Sequence, residues 1–189
     1  DLVFDKSLGL GHPRTLLVLN ELANAYSLQG YFKQAESCFK QAAASWLKMS
    51  GEDSPDYAGV LFNLGDLYLE TGEYGLAQNQ FEKCLKIRKK LFGSESNDVA
   101  WVFNSLAAVS KYTGDYKLAE SYYVQARDIQ KKVLGLEHSE YAKTLNNLGG
   151  LYVEIGDFES AGKLYLQALD IKKKTTGENT PSYATSLLG

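Results

Sequence analysis

Cysteine, proline, histidine and methionine are all scarce in this 189-residue chain, at two, three, two and one copies. Two cysteines, Cys38 and Cys84, make neither a disulfide framework nor a zinc site. Long apolar runs are also missing; the longest are a handful of residues, such as Leu16 to Leu19. A spanning helix needs about 20, so no transmembrane segment and no membrane partner are expected. The first residues, Asp1 to Lys6, mix acids into an apolar stretch, unlike a secretory leader. With so few cysteines, this suits a reducing, cytoplasmic setting. No charge of one sign dominates: 20 basic and 23 acidic residues leave a net −3. A domain that coats nucleic acid is strongly basic, so that partner is disfavoured. What remains is 44% apolar and 23% charged, enough for a real core and unlike a disordered chain.

What the chain does have is an internal repeat of 42 residues. Gly9, Gly51, Gly93, Gly135 and Gly177 keep that step, and so do Gly30, Gly72, Gly114 and Gly156. Leu22, Leu64, Leu106 and Leu148 form another column, and Ala35, Ala77, Ala119 and Ala161 a third. Phe39, Phe81, Tyr123 and Tyr165 form an aromatic one. Each unit reads as two helices. In the first, Leu19, Leu22, Ala23 and Tyr26 follow the i, i+3, i+4, i+7 spacing of an amphipathic helix. Glycine ends both helices, because it takes a left-handed cap without strain. Lysine-rich stretches precede the second stop, where cations complement the helix dipole. Ser54-Pro55 and Thr180-Pro181 place a hydroxyl cap before a first-turn proline. Helix pairs are therefore expected at about 13–29 with 32–50, 55–71 with 74–92, 97–113 with 116–134, and 139–155 with 158–176. The full repeats are 9–50, 51–92, 93–134 and 135–176. Residues 1–8 match the end of a preceding second helix, and 177–189 begin a further first helix through Tyr183, Ala184 and Leu187. The expectation is a single solenoid over 1–189, an interior slice of a longer array.

These columns resemble the tetratricopeptide repeat in its 42-residue kinesin light chain-type form. The fourth unit carries the likeness best: Gly135-Leu136-Glu137-His138, Tyr141-Ala142, Leu145-Asn146-Asn147-Leu148-Gly149, Leu151-Tyr152, Gly156-Asp157-Phe158, Ala161, Tyr165 and Ala168. The resemblance implies an all-α, right-handed superhelical solenoid of antiparallel helix pairs. It also implies that first helices line a concave groove that binds protein segments.

On that assignment the groove is lined by first-helix residues not used for packing. The candidates are Asn20, Asn24, Phe62, Asn63, Asp66, Trp101, Asn104, Lys111, Tyr112, Lys143, Asn146 and Asn147. An asparagine amide has two donors and an acceptor, so it can pair with the backbone of an extended peptide. Asparagine is a poor helix former, and its repetition in mid-helix asks for a reason. The competing readings are a solvated helix face, or bonds from Asn63 and Asn147 to a neighbouring helix. Trp101 and Phe62 suit a binding anchor or packing on the adjacent repeat. Trp46, in a second helix, suits packing.

No nucleophile motif, metal-ligand spacing or phosphate-binding loop appears, so no enzyme and no cofactor are expected. His12 and His138 share a turn column and read as caps. Cys84 shares the small-residue column of Ala42, Ala126 and Ala168 and reads as a buried, inert thiol. Lys48, Arg88 to Lys90, Lys131-Lys132 and Lys172 to Lys174 would line a basic ridge or simply complement helix ends. The leading expectation is a protein-interaction scaffold binding a partner's peptide segment. The rivals are a regulatory arm acting on another domain of the same parent chain, such as a protease or ATPase, and an architectural assembly domain.

Overall fold

The computed structural model describes residues 12–176. The segments expected to continue the array, 1–8 and 177–189, lie outside the described residues. Within them are eight helices: α1 Pro13–Leu28, α2 Phe32–Ser50, α3 Pro55–Glu70, α4 Tyr74–Phe92, α5 Asn97–Tyr112, α6 Tyr116–Val133, α7 Ser139–Ile155 and α8 Phe158–Thr176. Four of the expected ends overshoot by one residue, because the last position belongs to the cap. The protein is an all-α helical-repeat fold.

The starts and stops follow local chemistry. The Ser54 and Ser96 hydroxyls accept from the amides of Tyr57 and Val99. His12 and His138 do the same job with Nδ1, accepting from Arg14 N at 3.2 Å and Glu140 N at 3.1 Å. Each first helix ends in a Schellman-type closure. The amides of Tyr31, Glu73, Asp115 and Asp157 donate back to the carbonyls of Tyr26, Tyr68, Ser110 and Tyr152, at 2.8–2.9 Å. That closure requires the positive φ of Gly30, Gly72, Gly114 and Gly156, which lies between 77° and 84°.

The chain divides into two compact units, 1–91 and 92–189. In the first, α1 packs on α2 and both meet α3; in the second, α5 packs on α6, α6 on α7 and α7 on α8. Each core follows the repeat columns. Phe39, Phe81 and Tyr123 of the second helices are buried, with Ala35, Ala77 and Ala119 beside them in the sequence pattern, also buried. Small residues on the first helices admit these rings. A Cβ placed on Gly65 would lie 2.6 Å from Cε1 of Phe81, and one on Gly149 3.0 Å from Cε1 of Tyr165.

Successive hairpins are joined by a recurring phenol–carboxylate bond. Tyr68 of α3 donates to Glu36 of α2 at 2.8 Å. Two repeats on, Tyr152 of α7 donates to Glu120 of α6. Trp46 is buried, as the packing reading required. Its column continues as Arg88 and Gln130, both also buried. The Arg88 guanidinium lies 4.6 Å from the centre of the Phe62 ring.

Candidate peptide-binding face

In the first unit, α1 and α3 carry Asn20, Asn24, Phe62, Asn63 and Asp66. Asn63 Nδ2 donates to Asn20 Oδ1 at 3.1 Å, linking the two first helices. One N–H of Asn63 and one lone pair of Asn20 are thus spent inside the fold. Phe62 is half-buried and packs 5.6 Å from the Phe81 ring, beneath Arg88. Its ring area is committed to the α3–α4 hairpin. Asn24, Asn63, Asp66 and Glu70 border a cleft of about 300 Å³ to which Phe39 and Leu67 add apolar surface. Ser27 donates to Glu70 at 3.0 Å across its edge. Asn24 has no side-chain partner among the described residues.

In the second unit the candidates fall into three groups. Trp101 is 38% exposed, and its Nε1 donates to Glu140 at 2.8 Å. Glu140 also accepts from Lys143 at 2.6 Å. Burial pushes the Glu140 carboxyl up, but the bonds from Lys143 and Trp101 outweigh it and hold the group below its usual range. An indole on α5 and an ammonium on α7 are therefore fixed by one carboxylate. Lys111 pairs with Glu154 at 3.0 Å and lies 5.0 Å from the centre of the Tyr112 ring, which is 57% exposed.

The third group separates the asparagines. Asn104 Nδ2 donates to Thr144 Oγ1 at 2.7 Å, Thr144 donates to Gln130 Oε1 at 2.6 Å, and Gln130 Nε2 donates to Asn97 Oδ1 at 3.2 Å. Thr144 and Gln130 are buried. This polar chain ties α5, α6 and α7 together, so the amide donor expected to face a ligand is used internally. Asn104 Oδ1 is buried with no partner among the described residues. Asn146 and Asn147 on α7 have none either, and Asn147 is exposed. The polar chain was missed in the sequence. Its signal is a break in an apolar column, where Val60 and Val102 give way to Thr144.

The lysine ridge is interrupted by carboxylates. Lys90 pairs with Asp53, Lys132 with Glu95, and Lys174 with Glu137 and Asp170. The first three acids recur at the 42-residue step, so the lysines close their own repeats. That removes most of the support for a continuous basic ridge. Cys84 is fully buried. Cys38 is half-buried, and desolvation raises its thiol above the ordinary 9.0. Among the described residues no group of histidine, cysteine and carboxylates could hold a metal ion, and no helix is long and apolar enough to cross a membrane.

The tetratricopeptide repeat model matches residues 14–90 and 98–188. Among solved structures, BtubC (BKLC) from P. vanneervenii is 26% identical, with a TM-score of 0.81 over 97% of this chain and 72% of that one. Nearly identical TPR-like repeats of a kinesin light chain-type protein from Podosopora anserina are also 26% identical, with a TM-score of 0.75 over 90% of this chain and 80% of theirs. A Rap protein complexed with competence and sporulation factor reaches a TM-score of 0.75 at 15% identity, over 91% of this chain and 46% of that one. At that identity the likeness concerns the fold alone. No curated protein matches the chain in sequence.

Proposed function

The chain belongs to the tetratricopeptide repeat family, and on that premise we propose that it is a protein-interaction scaffold whose first helices bind an extended segment of a partner protein. The repeats 9–50, 51–92, 93–134 and 135–176 are read as parts of one array. The observation that carries the reading is that α7 holds two adjacent asparagines, Asn146 and Asn147, that the described fold does not use. Asparagine in mid-helix costs up to about 0.7 kcal/mol relative to alanine. No internal bond offsets that cost here. Two such amides can pair with both the N–H and the C=O of a passing peptide backbone. Trp101, exposed and held by Glu140, supplies an aromatic anchor in the same unit. In the first unit Asn24 has the same unspent amide, beside a cleft with apolar surface and an acidic border.

The test is co-purification from lysate of the source cells, with the wild-type chain and an Asn146→Ala, Asn147→Ala, Trp101→Ala variant of unchanged helicity. The expected result is a partner retained by the wild type and lost by the variant. Equal retention would overturn the assignment. Asn104 is left intact because its substitution would disturb the buried polar chain.

A further inference from the structure

A second cleft lies outside the candidate peptide-binding face, between the α2–α3 connection and the C-terminal half of α4. Its volume is about 540 Å³. Lys83, Lys86, Ile87 and Lys90 line it from one stripe of α4, at i, i+3, i+4 and i+7. Tyr57 lines it from the first turn of α3, and Glu52 and Asp53 from the connection.

The other repeats show which of these residues the fold itself requires. Ile87 recurs as Ile129 and Ile171. The ion pair of Lys90 with Asp53 recurs as Lys132 with Glu95 and Lys174 with Glu137. The positions of Lys83 and Lys86 hold Gln125 and Asp128 in the third repeat, and Gln167 and Asp170 in the fourth. Those aspartates pair locally, Asp128 with Arg127 at 2.8 Å and Asp170 with Lys174 at 3.0 Å. Lys83 and Lys86 have no partner among the described residues. Hairpins of this kind therefore fold without the two lysines, and here the pair borders a cleft with a tyrosine ring in its lining. With Asp53 neutralised by Lys90, two ammonium groups face one remaining carboxylate, Glu52.

The geometry points to an anion-binding site for an aromatic or apolar group bearing a phosphate or carboxylate. Lys83 and Lys86 take the charge, and Tyr57 and Ile87 take the apolar body. Glu52 repels the anion from the connection end and directs it to the lysine end.

Phenyl phosphate is the probe, with inorganic phosphate and phenol as its two halves, titrated into the full chain and followed by amide chemical-shift changes. Phenyl phosphate should shift residues 52–57 and 83–90 and bind at about millimolar strength. Each half alone should bind at least fivefold more weakly. Lys83→Gln with Lys86→Asp, the pair used by the third repeat, should abolish these shifts without moving the unfolding midpoint. Lys83→Ala with Lys86→Ala serves as the second variant should that one prove unstable. Glu52→Gln should tighten binding severalfold. Shifts that persist in the lysine variants would overturn the site. So would equal binding of inorganic phosphate and phenyl phosphate, or no localised shifts at all. None of these outcomes bears on the peptide-binding face, which the probe does not touch.

Discussion

Two glycines in one helix make opposite predictions. Gly59 and Gly65 both lie inside α3. Alanine at an exposed mid-helix glycine gains about 1 kcal/mol from helix propensity alone. Around Gly59 a Cβ meets nothing within 4 Å, so Gly59→Ala should gain most of that amount. At Gly65 the same methyl lies 2.6, 2.8 and 2.9 Å from three atoms of the Phe81 ring, well inside the 3.4 Å at which ordinary contact begins. The ring would have to retreat by about 0.8 Å, yet it is fully buried and Phe62 packs against it. Overpacking of this kind costs about 1–3 kcal/mol. Gly65→Ala should therefore range from neutral to about 2 kcal/mol less stable, with Gly59→Ala more stable than wild type. At about 2–4 °C per kcal/mol for a chain of this size, thermal unfolding should order the midpoints Gly59→Ala above wild type and Gly65→Ala at or below it. A parallel rise of both would refute the reasoning. It would mean that the aromatic column withdraws at low cost, as it must where Ala23 and Ala107 hold the equivalent position.

Removing the donor in Tyr68→Phe should lower the midpoint by about 2–4 °C, since the lost bond to Glu36 is worth about 1 kcal/mol. Asn104→Ala, which leaves Thr144 without its donor, should cost about as much, whereas Asn146→Ala should not destabilise; thermal scans distinguish them. Bonds from Lys40 and Tyr68 hold Glu36 below its ordinary 4.5, and Glu140 is likewise lowered. The stability they contribute is present above pH 4.5 and lost as pH falls through their lower folded values, and Glu36→Gln should flatten that decline in an acid unfolding series. Cys84 should resist alkylation in the native chain and react only on unfolding, as a timed thiol-labelling assay would show.

The fold was legible because the repeat samples each structural position four times. One glycine suggests little, but Gly30, Gly72, Gly114 and Gly156 in register identify a left-handed cap, and each has one. The helix ends and the histidine caps followed from the same columns. The candidate site was less legible, because a column gives a direction on the helix but not the partner across the gap. Asn20, Phe62, Asn104 and Asn146 share one column and have four environments. They meet the Asn63 amide, the Phe81 ring, a buried threonine and, for Asn146, no partner among the described residues. Those differences arise from residues in other columns, such as Thr144 replacing a valine, and only the packed structure brings them together.

The central claim is that a partner segment lies on the first helices, and site-specific photo-crosslinking tests it most directly. A benzophenone side chain would replace Tyr112 on α5 in one chain and Gln125 on α6 in another; both positions are exposed. The account predicts a covalent adduct with the captured partner from position 112 and none from position 125. An adduct from position 125 alone would place the partner on the second helices and contradict it.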